Sequence, residues 1–190
     1  DAMITHYVDC TVVPDPETSP PQLMGALYDR LHQALVKHRL DSVGVSFPQY
    51  SLNPRAIGNR LRLHGSSETL GRLMTDDWLK GMRDHVRMTE IQPAPQDAVH
   101  RTVQRKQFKT SADRLRRRRM KRKGETAEQA GAAIPYTAEC RPDLPHVHLR
   151  SRSTGQPFHL FVGLGPLQAQ PKAGAFNCYG LSGATTIPWF

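Results

Sequence analysis

The sequence has few cysteines and no long apolar run. Its 190 residues include Cys10, Cys140 and Cys178, an odd number of widely separated thiols. This scatter argues against a disulfide framework and favours a reducing, cytoplasmic compartment. No apolar run approaches the ~20 residues that a membrane-spanning helix requires, and the N-terminus has no signal-peptide pattern. We therefore expect no membrane partner.

The usual motifs of metal and nucleotide chemistry are also missing. No CxxC pair supports a zinc site, although His146 and His148 with two cysteines can be imagined as ligands. Closely spaced carboxylates that would suggest a two-metal nuclease are absent, as are a Walker loop and a GxGxxG pattern. The sequence therefore predicts neither a metal nor a cofactor.

One short segment holds the positive charge. The chain has 26 Lys and Arg against 17 Asp and Glu, a net charge of +9. Residues 105–123 contain eleven Lys and Arg and a single acid, Asp113, which gives this segment a balance of +10. The rest of the chain is thus close to neutral, so the charge is a local feature and not a general property of the surface.

Residues 113–123 are predicted to form an arginine-rich helix. At helical spacing, one face collects five cations: Arg114, Arg117, Arg118, Lys121 and Arg122. Like charges at these spacings repel by a few tenths of a kcal/mol per pair, so the helix favours an anionic partner. A concentrated cationic helix without an apolar stripe indicates a polyphosphate ligand. The alternative is a disordered basic arm or a localisation tract.

The first half of the chain has the element order of a split βαβ fold. Alternation and helical periodicity first predict a strand over 4–13, a helix that is capped by Ser19 and runs to about 39, and a strand over 42–47. They then predict a strand over 60–64, a helix that is capped by Ser67 and has Met82 at the end of its buried side, and a strand over 86–91. This order is that of ferredoxin-like domains and of RNA-recognition motifs. The predicted fold class is therefore α+β.

Prolines and polar residues near 96–97 predict a linker between two domains, 1–97 and 98–190. The second domain is predicted to be more irregular, with short elements broken by glycines. They are a strand over 99–108, the cationic helix capped by Ser111 or Asp113, a helix over 127–134, and strands over 146–150, 158–162 and 176–179.

Three features could support RNA cleavage, since RNA carries its own nucleophile in the 2′-hydroxyl. His32 lies at the margin of the apolar stripe of its helix, where an imidazole can act as a base near neutral pH. Residues 149–158 form a turn rich in hydroxyls and arginines that suits a phosphate, although an ordinary polar hairpin has the same composition. Tyr179 taken alone is typical of a core or interface aromatic.

The sequence resembles the CRISPR RNA-processing endoribonucleases of type I-F systems, which cut the repeat hairpin of a precursor transcript. Several blocks carry the resemblance in the same order along nearly the whole chain. They are Pro14-Asp15-Pro16-Glu17, Gln22-Leu23-Met24, Leu31-His32-Gln33-Ala34-Leu35-Val36, Gly44-Val45-Ser46-Phe47-Pro48, the run 114–123, Leu149-Arg150-Ser151, Ser153-Thr154-Gly155-Gln156, Gly165-Pro166-Leu167-Gln168, Cys178-Tyr179-Gly180-Leu181-Ser182 and Pro188-Trp189-Phe190.

The resemblance implies a catalytic set and a set of RNA contacts. His32 would be the general base on the 2′-hydroxyl, Ser151 would position that hydroxyl, and Tyr179 would orient the histidine. The implied RNA contacts are Arg105 and Gln107 to purine edges, Phe158 stacked on the terminal base pair, Ser153 and Thr154 near the scissile phosphate, and Arg114, Arg117, Arg118, Lys121, Arg122 and Lys123 from the helix in the major groove.

The implied partners are the precursor repeat hairpin, the mature CRISPR RNA and the other subunits of a type I-F surveillance complex. The implied reaction is metal-independent and leaves a 2′,3′-cyclic phosphate. Two other classes of function remain open on the residues alone: a non-catalytic hairpin-binding subunit of a larger complex, and a basic DNA-binding protein.

Overall fold

The computed structural model describes residues 3–107, 112–133 and 143–190, without the side chains of residues 112 and 113. The chain divides into two compact units, one formed by Asp1–Lys106 with Leu144–Phe190 and the other by Gln107–Asp143. None of the helices in the described ranges combines the length and apolarity needed to cross a bilayer.

The first unit is built around an antiparallel sheet with two helices. Its elements in chain order are β1 (His6–Val12), α1 (Pro20–Lys37), β2 (Gly44–Ser46), a small hairpin of β3 (Ser51–Leu52) and β4 (Arg55–Ala56), β5 (Arg60–Gly65), α2 (Ser67–Thr75), β6 (Val86–Met88) and β7 (Gln92–Pro93). The strand order is β2-β5-β1-β6, and β7 also pairs with β1. The mixture of helices and antiparallel sheets is α+β, as predicted.

Helix α1 forms where capping and apolar periodicity predict it. Ser19 precedes the first turn, its backbone N–H donates to Gln22 Oε1 at 3.1 Å, and prolines occupy the next two positions. The predicted apolar stripe is buried, comprising Leu23, Leu27, Leu31, Ala34 and Leu35. His32 is partly buried at the margin of this stripe, which leaves its ring within reach of solvent.

Helix α2 differs from its prediction at both ends. The N-cap is Ser66, whose hydroxyl accepts from Thr69 N at 3.1 Å, one residue before the predicted Ser67. The helix ends at Thr75 because Asp76 is in an extended conformation. The predicted apolar residues beyond it, Trp78, Leu79 and Met82, are buried in the turns that follow. The spacing of these three residues therefore reflects their burial and not a continuation of the helix.

A second, three-stranded antiparallel sheet lies in the same unit. After β8 (Val99–Arg101) come β9 (Val103–Lys106), β10 (His146–Arg150), β11 (Pro157–Leu164) and β12 (Ile187–Trp189). The sheet order is β10-β11-β9, while β8 pairs with β12. The strand predicted over 99–108 is thus two strands that pair with different partners, and residue 108 lies outside the described ranges.

Alternation gives the β10–β11 hairpin two distinct faces. One face joins the core through Val147, Leu149, Leu160 and Val162, all of them buried. The other face carries three histidines, with His148 directly opposite His159 and His146 opposite Phe161.

The strand predicted over 176–179 is a turn in the structure. The side-chain oxygen of Asn177 accepts from Tyr179 N at 2.9 Å and from Leu181 N at 3.0 Å. Gly180 has a φ of +71°, and its backbone oxygen accepts from Val45 N at 2.9 Å. An asparagine that satisfies the backbone in this way competes with strand pairing, which explains the difference.

Helix α1 and strand β10 approach each other closely at Gly25. A Cβ built on Gly25 would lie 2.3 Å from the backbone oxygen of His148, so a side chain cannot fit there without displacement. Glycine therefore sets the spacing between α1, which carries His32, and β10, which leads into Ser151.

The second unit contains two described helices. Helix α3 (Ala112–Lys123) begins one residue before the predicted 113–123 helix. Of its two predicted caps, Asp113 lies within the helix and therefore is not the N-cap, and Ser111 lies outside the described residues. Helix α4 (Ala127–Ala133) follows, and residue 134 of its predicted span is likewise outside them.

Candidate functional site

An open cleft of about 590 Å³ in the first unit brings together the three predicted catalytic residues and four of the predicted RNA contacts. Its lining comprises His32, Arg105, Arg150, Ser151, Arg152, Ser153, Thr154, Gln156, Phe158 and Tyr179. One imidazole, three aliphatic hydroxyls and three guanidinium groups thus face a common space. This combination of a possible base with several cations suits a polyanionic substrate.

His32 is held in one tautomer by the backbone. Its Nδ1 lies 2.7 Å from the carbonyl oxygen of Cys178. Because a carbonyl oxygen can only accept, Nδ1 must carry the proton. In the neutral ring, Nε2 therefore has the free lone pair, as a general base requires.

Tyr179 packs face to face with that imidazole. The ring centroids of His32 and Tyr179 are 4.0 Å apart and the rings are 8° from parallel. Burial raises the pKa of the Tyr179 phenol, and the nearby Arg105 guanidinium partly opposes this shift. The phenol is therefore neutral at physiological pH, and its ring stacks on the imidazole.

Tyr28 supports the same turn from the core. Its hydroxyl donates to the backbone oxygen of Tyr179 at 2.6 Å, and complete burial raises the pKa of Tyr28 well above its usual value. Tyr28 lies one helical turn before His32, so α1 supplies both the imidazole and a donor that fixes the turn facing it.

The 178–179 backbone that contacts His32 is fixed by Asn177, a residue that the sequence analysis missed. Its two side-chain hydrogen bonds to Tyr179 N and Leu181 N define the conformation in which the Cys178 carbonyl points at His32. The signal was available, because asparagine three residues before glycine is a common turn pattern.

The loop after β10 exposes its hydroxyls to the cleft. Ser151 N donates to Gln156 O at 2.8 Å and Gly155 N donates to Ser151 O at 2.8 Å, which closes a tight turn. Gly155 has a φ of +68°, a conformation that favours glycine. Ser151 Oγ and Ser153 Oγ are 3.1 Å apart, so the two hydroxyls act on the same small region.

Arg105 lies across two aromatic rings of the cleft. Its guanidinium carbon is 5.6 Å from the Phe158 ring centroid and 5.7 Å from that of Tyr179. Cation–π contact with both rings keeps the guanidinium extended over the cleft. Gln107, the other predicted base-reading residue, belongs to the second unit.

Asp29 is a second residue that the sequence analysis missed. It precedes His32 by three positions on α1, accepts from Gln33 Nε2 at 2.7 Å, and lies 3.8 Å from Arg152 Nη2. The carboxylate thus links α1 to the hydroxyl-bearing loop. The i,i+3 spacing to His32 was the available signal.

In the second unit, helix α3 has two sides of different character. Arg119 Nε donates to Glu125 Oε2 at 2.7 Å, and Arg116 reaches the carbonyl of Gly131 in α4 at 3.5 Å. The predicted cationic face is exposed: Arg114, Arg117, Arg118, Lys121 and Arg122, with Lys123 beside it. The helix therefore uses its partly buried arginines to pack and presents the others to solvent.

Comparison with known proteins identifies the class. The family model described as CRISPR-associated protein (Cas_Csy4) matches residues 7–190. The chain belongs to this family, which confirms the resemblance to the type I-F RNA-processing proteins.

Two curated relatives are similar over nearly their whole length. The protein named CRISPR-associated endonuclease Cas6/Csy4 from Pseudomonas aeruginosa (strain UCBPP-PA14) is 46% identical over 185 residues, covering 97% of this chain and 99% of the relative. The protein of the same name from Escherichia coli (strain UTI89 / UPEC) is 42% identical with the same coverage.

Proposed function

We propose that this protein is an endoribonuclease of CRISPR RNA processing, which cleaves the repeat stem-loop of a precursor transcript and stays bound to the product. The observation that carries the proposal is the 2.7 Å contact of His32 Nδ1 with the Cys178 carbonyl, which leaves Nε2 as a base in a cationic cleft. The relatives named as endonucleases support the same activity.

In the proposed reaction, His32 Nε2 removes the proton of the 2′-hydroxyl upstream of the cut. The 2′-oxygen then attacks the adjacent phosphorus, and the bond from phosphorus to the 5′-oxygen breaks. A 2′,3′-cyclic phosphate remains on one product, and the departing oxygen takes up a proton from water to become a 5′-hydroxyl. The protonated His32 then releases its proton to solvent. Ser151 holds the attacking hydroxyl in line, and Ser153 and Thr154 contact the scissile phosphate. No step requires a metal.

The proposed RNA contacts divide into two groups. Arg105 and Gln107 read purine edges in the lowest base pairs, since Arg pairs with guanine and Gln with adenine, and Phe158 stacks on the terminal pair. The exposed cations of α3 bind the stem through phosphates and base edges: Arg114, Arg117, Arg118, Lys121, Arg122 and Lys123.

The proposed architecture is a ferredoxin-like domain over 1–97 that carries His32, followed by an RNA-hairpin-binding domain over 98–190. The β2-β5-β1-β6 strand order, with one helix between β1 and β2 and another between β5 and β6, supports the first assignment. Family membership supports other subunits of a type I-F surveillance complex as the remaining partners.

The test is a single 2′-deoxy substitution at the nucleotide just upstream of the scissile phosphate. The substituted hairpin should bind as tightly as the all-ribose hairpin and remain uncut, whereas the all-ribose hairpin should be cut equally well with and without EDTA. Cleavage of the deoxy hairpin, or loss of cleavage in EDTA, would contradict 2′-hydroxyl attack.

The same assay separates the other classes of function. A hairpin-binding subunit without activity would leave the all-ribose hairpin intact at saturating protein. A DNA-binding protein would prefer duplex DNA of equal length in competition with the hairpin.

A further inference from the structure

A cluster of three histidines lies on the face of the β10–β11 hairpin that points away from the core. His146 and His148 alternate on β10, and His159 is the direct cross-strand partner of His148 on β11. One ligating nitrogen from each ring can be chosen so that all three lie within 4.8 Å of one another. None of the three lines the cleft that contains His32.

The distances within the cluster suit a divalent metal. His146 Nε2 and His148 Nε2 are 3.3 Å apart. Two imidazole nitrogens bound to one tetrahedral Zn²⁺ at 2.0–2.1 Å are separated by about 3.3 Å. The third ring, that of His159, is close to both, since its centroid is 4.2 Å from that of His148 and 4.4 Å from that of His146.

The backbone fixes the three ligands close together. They sit on adjacent hydrogen-bonded strands whose opposite face is buried in the core through Val147 and Leu160, so their Cα positions are set by the fold. Phe161 packs against the cluster, 5.4 Å from His146 between ring centroids, and forms an apolar wall. Such a frame lowers the ordering cost of binding a metal.

The site is also accessible. His148 is exposed and the other two rings are partly exposed. His146 and His148 also line a cleft of about 300 Å³ next to the β3–β4 hairpin, which leaves room for a water as a fourth ligand.

We propose that His146, His148 and His159 bind one divalent transition-metal ion of the zinc class. The site lies on the face of the β10–β11 hairpin opposite to the face that carries Phe158. Three neutral imidazoles favour borderline cations such as Zn²⁺, Co²⁺ and Ni²⁺ over Mg²⁺ and Ca²⁺. The ion joins β10 to β11 outside the proposed cleavage cleft and takes no part in the reaction proposed above.

The test uses tag-free, RNA-free full-length protein, which is titrated with Co²⁺ and Zn²⁺. Wild type should bind one ion per chain, give the intense visible absorption of tetrahedral Co²⁺, and melt at a higher temperature with Zn²⁺. Loss of a residue that only supports a metal ligand typically weakens metal binding by about 10–100-fold. Because His148 and His159 would be ligands themselves, His148→Gln and His159→Gln should each weaken metal binding by more than that. His6→Gln, on β1, is the matched control and should leave affinity unchanged.

Equal affinity in all three variants, or no stoichiometric binding by wild type, would overturn the proposal. If a cluster variant fails to fold, paramagnetic broadening of NMR signals by Co²⁺ in the wild-type protein tests whether the three histidines bind the ion. It must affect the imidazole resonances of these three histidines before those of the other six. His148→Gln should still cut the hairpin at the wild-type rate, so failure of the metal site is distinguishable from failure of the proposed nuclease activity.

Discussion

At the scale of single residues, the Cys178 carbonyl decides which nitrogen of His32 can take a proton. If Nε2 is the base, His32→Ala should slow cleavage by the ~10²–10⁴-fold that positioned proton transfer contributes, with hairpin affinity nearly unchanged. Single-turnover kinetics and filter binding on the same hairpin would measure the two effects. A parallel loss of affinity would mean that His32 serves mainly to bind RNA.

The stacked Tyr179 ring makes a separate prediction. Because burial raises the pKa of the phenol, we expect no limb in the pH–rate profile from its ionisation below about pH 10. Tyr179→Phe keeps the 4.0 Å stack and should retain most activity. Tyr179→Ala loses an aromatic contact worth about 0.5–1.5 kcal/mol, or about 2- to 10-fold in rate. Equal losses in both variants would assign the role to the hydroxyl.

At the scale of elements, periodicity located most helices and strands but not their ends. Helix α1 was predicted within two residues because its cap, prolines and apolar stripe all agree. Helix α2 was predicted too long, since burial of Trp78 continues the apolar pattern after the backbone has left the helix.

The candidate site was harder to predict from the sequence than the helices and strands. Periodicity placed His32 at a helix margin, but the residues that face it are about 120 to 150 positions away in sequence. Their meeting depends on tertiary packing and on the side-chain hydrogen bonds of Asn177, which no periodic pattern encodes. The family resemblance, not the spacing, supplied Ser151 and Tyr179 as candidates.

Helix α3 allows a test with a control on the same helix. Arg118 is exposed, whereas Arg119 pairs with Glu125 at 2.7 Å. If the exposed cations bind phosphates, Arg118→Gln should flatten the slope of log K against log salt by about 0.9, by analogy with duplex DNA, and Arg119→Gln should change it little.

Neutralising Arg117, Arg118 and Arg122 together should flatten the same slope by about two to three. Fluorescence anisotropy of the labelled hairpin across a salt series would give each value. Identical slopes for wild type and this triple variant would exclude phosphate contacts by this face.

At the scale of the whole molecule, a buried histidine predicts how stability depends on pH. Burial, and secondarily Arg62, lowers the pKa of His64 from 6.5 to about 3. Between these values the unfolded chain binds one more proton than the folded chain. The free energy of unfolding should therefore fall as the pH drops below 6.5, by up to about 1.4 kcal/mol per pH unit from this residue.

The residue that tests this prediction is His64 itself, whose Nε2 lies 2.7 Å from Ser46 Oγ. His64→Gln removes the titrating group and can still reach that hydroxyl. Urea unfolding at several pH values should show a shallower decline for the variant between pH 6.5 and 3. Parallel curves would show that the acid sensitivity arises elsewhere.

The absence of a side chain at Gly25 sets how closely the helix that carries His32 approaches the strand that leads to Ser151. Gly25→Ala would push against the His148 backbone oxygen, separating the helix that carries His32 from the strand that leads to Ser151. A displacement of about 1 Å can cost about 10²-fold in rate. We therefore expect a large fall in single-turnover rate with hairpin affinity retained, whereas Gly71→Ala in α2, where a Cβ meets nothing within 4 Å, should be harmless. The rate of cleavage would then depend on the width of a backbone contact that involves none of the proposed catalytic residues.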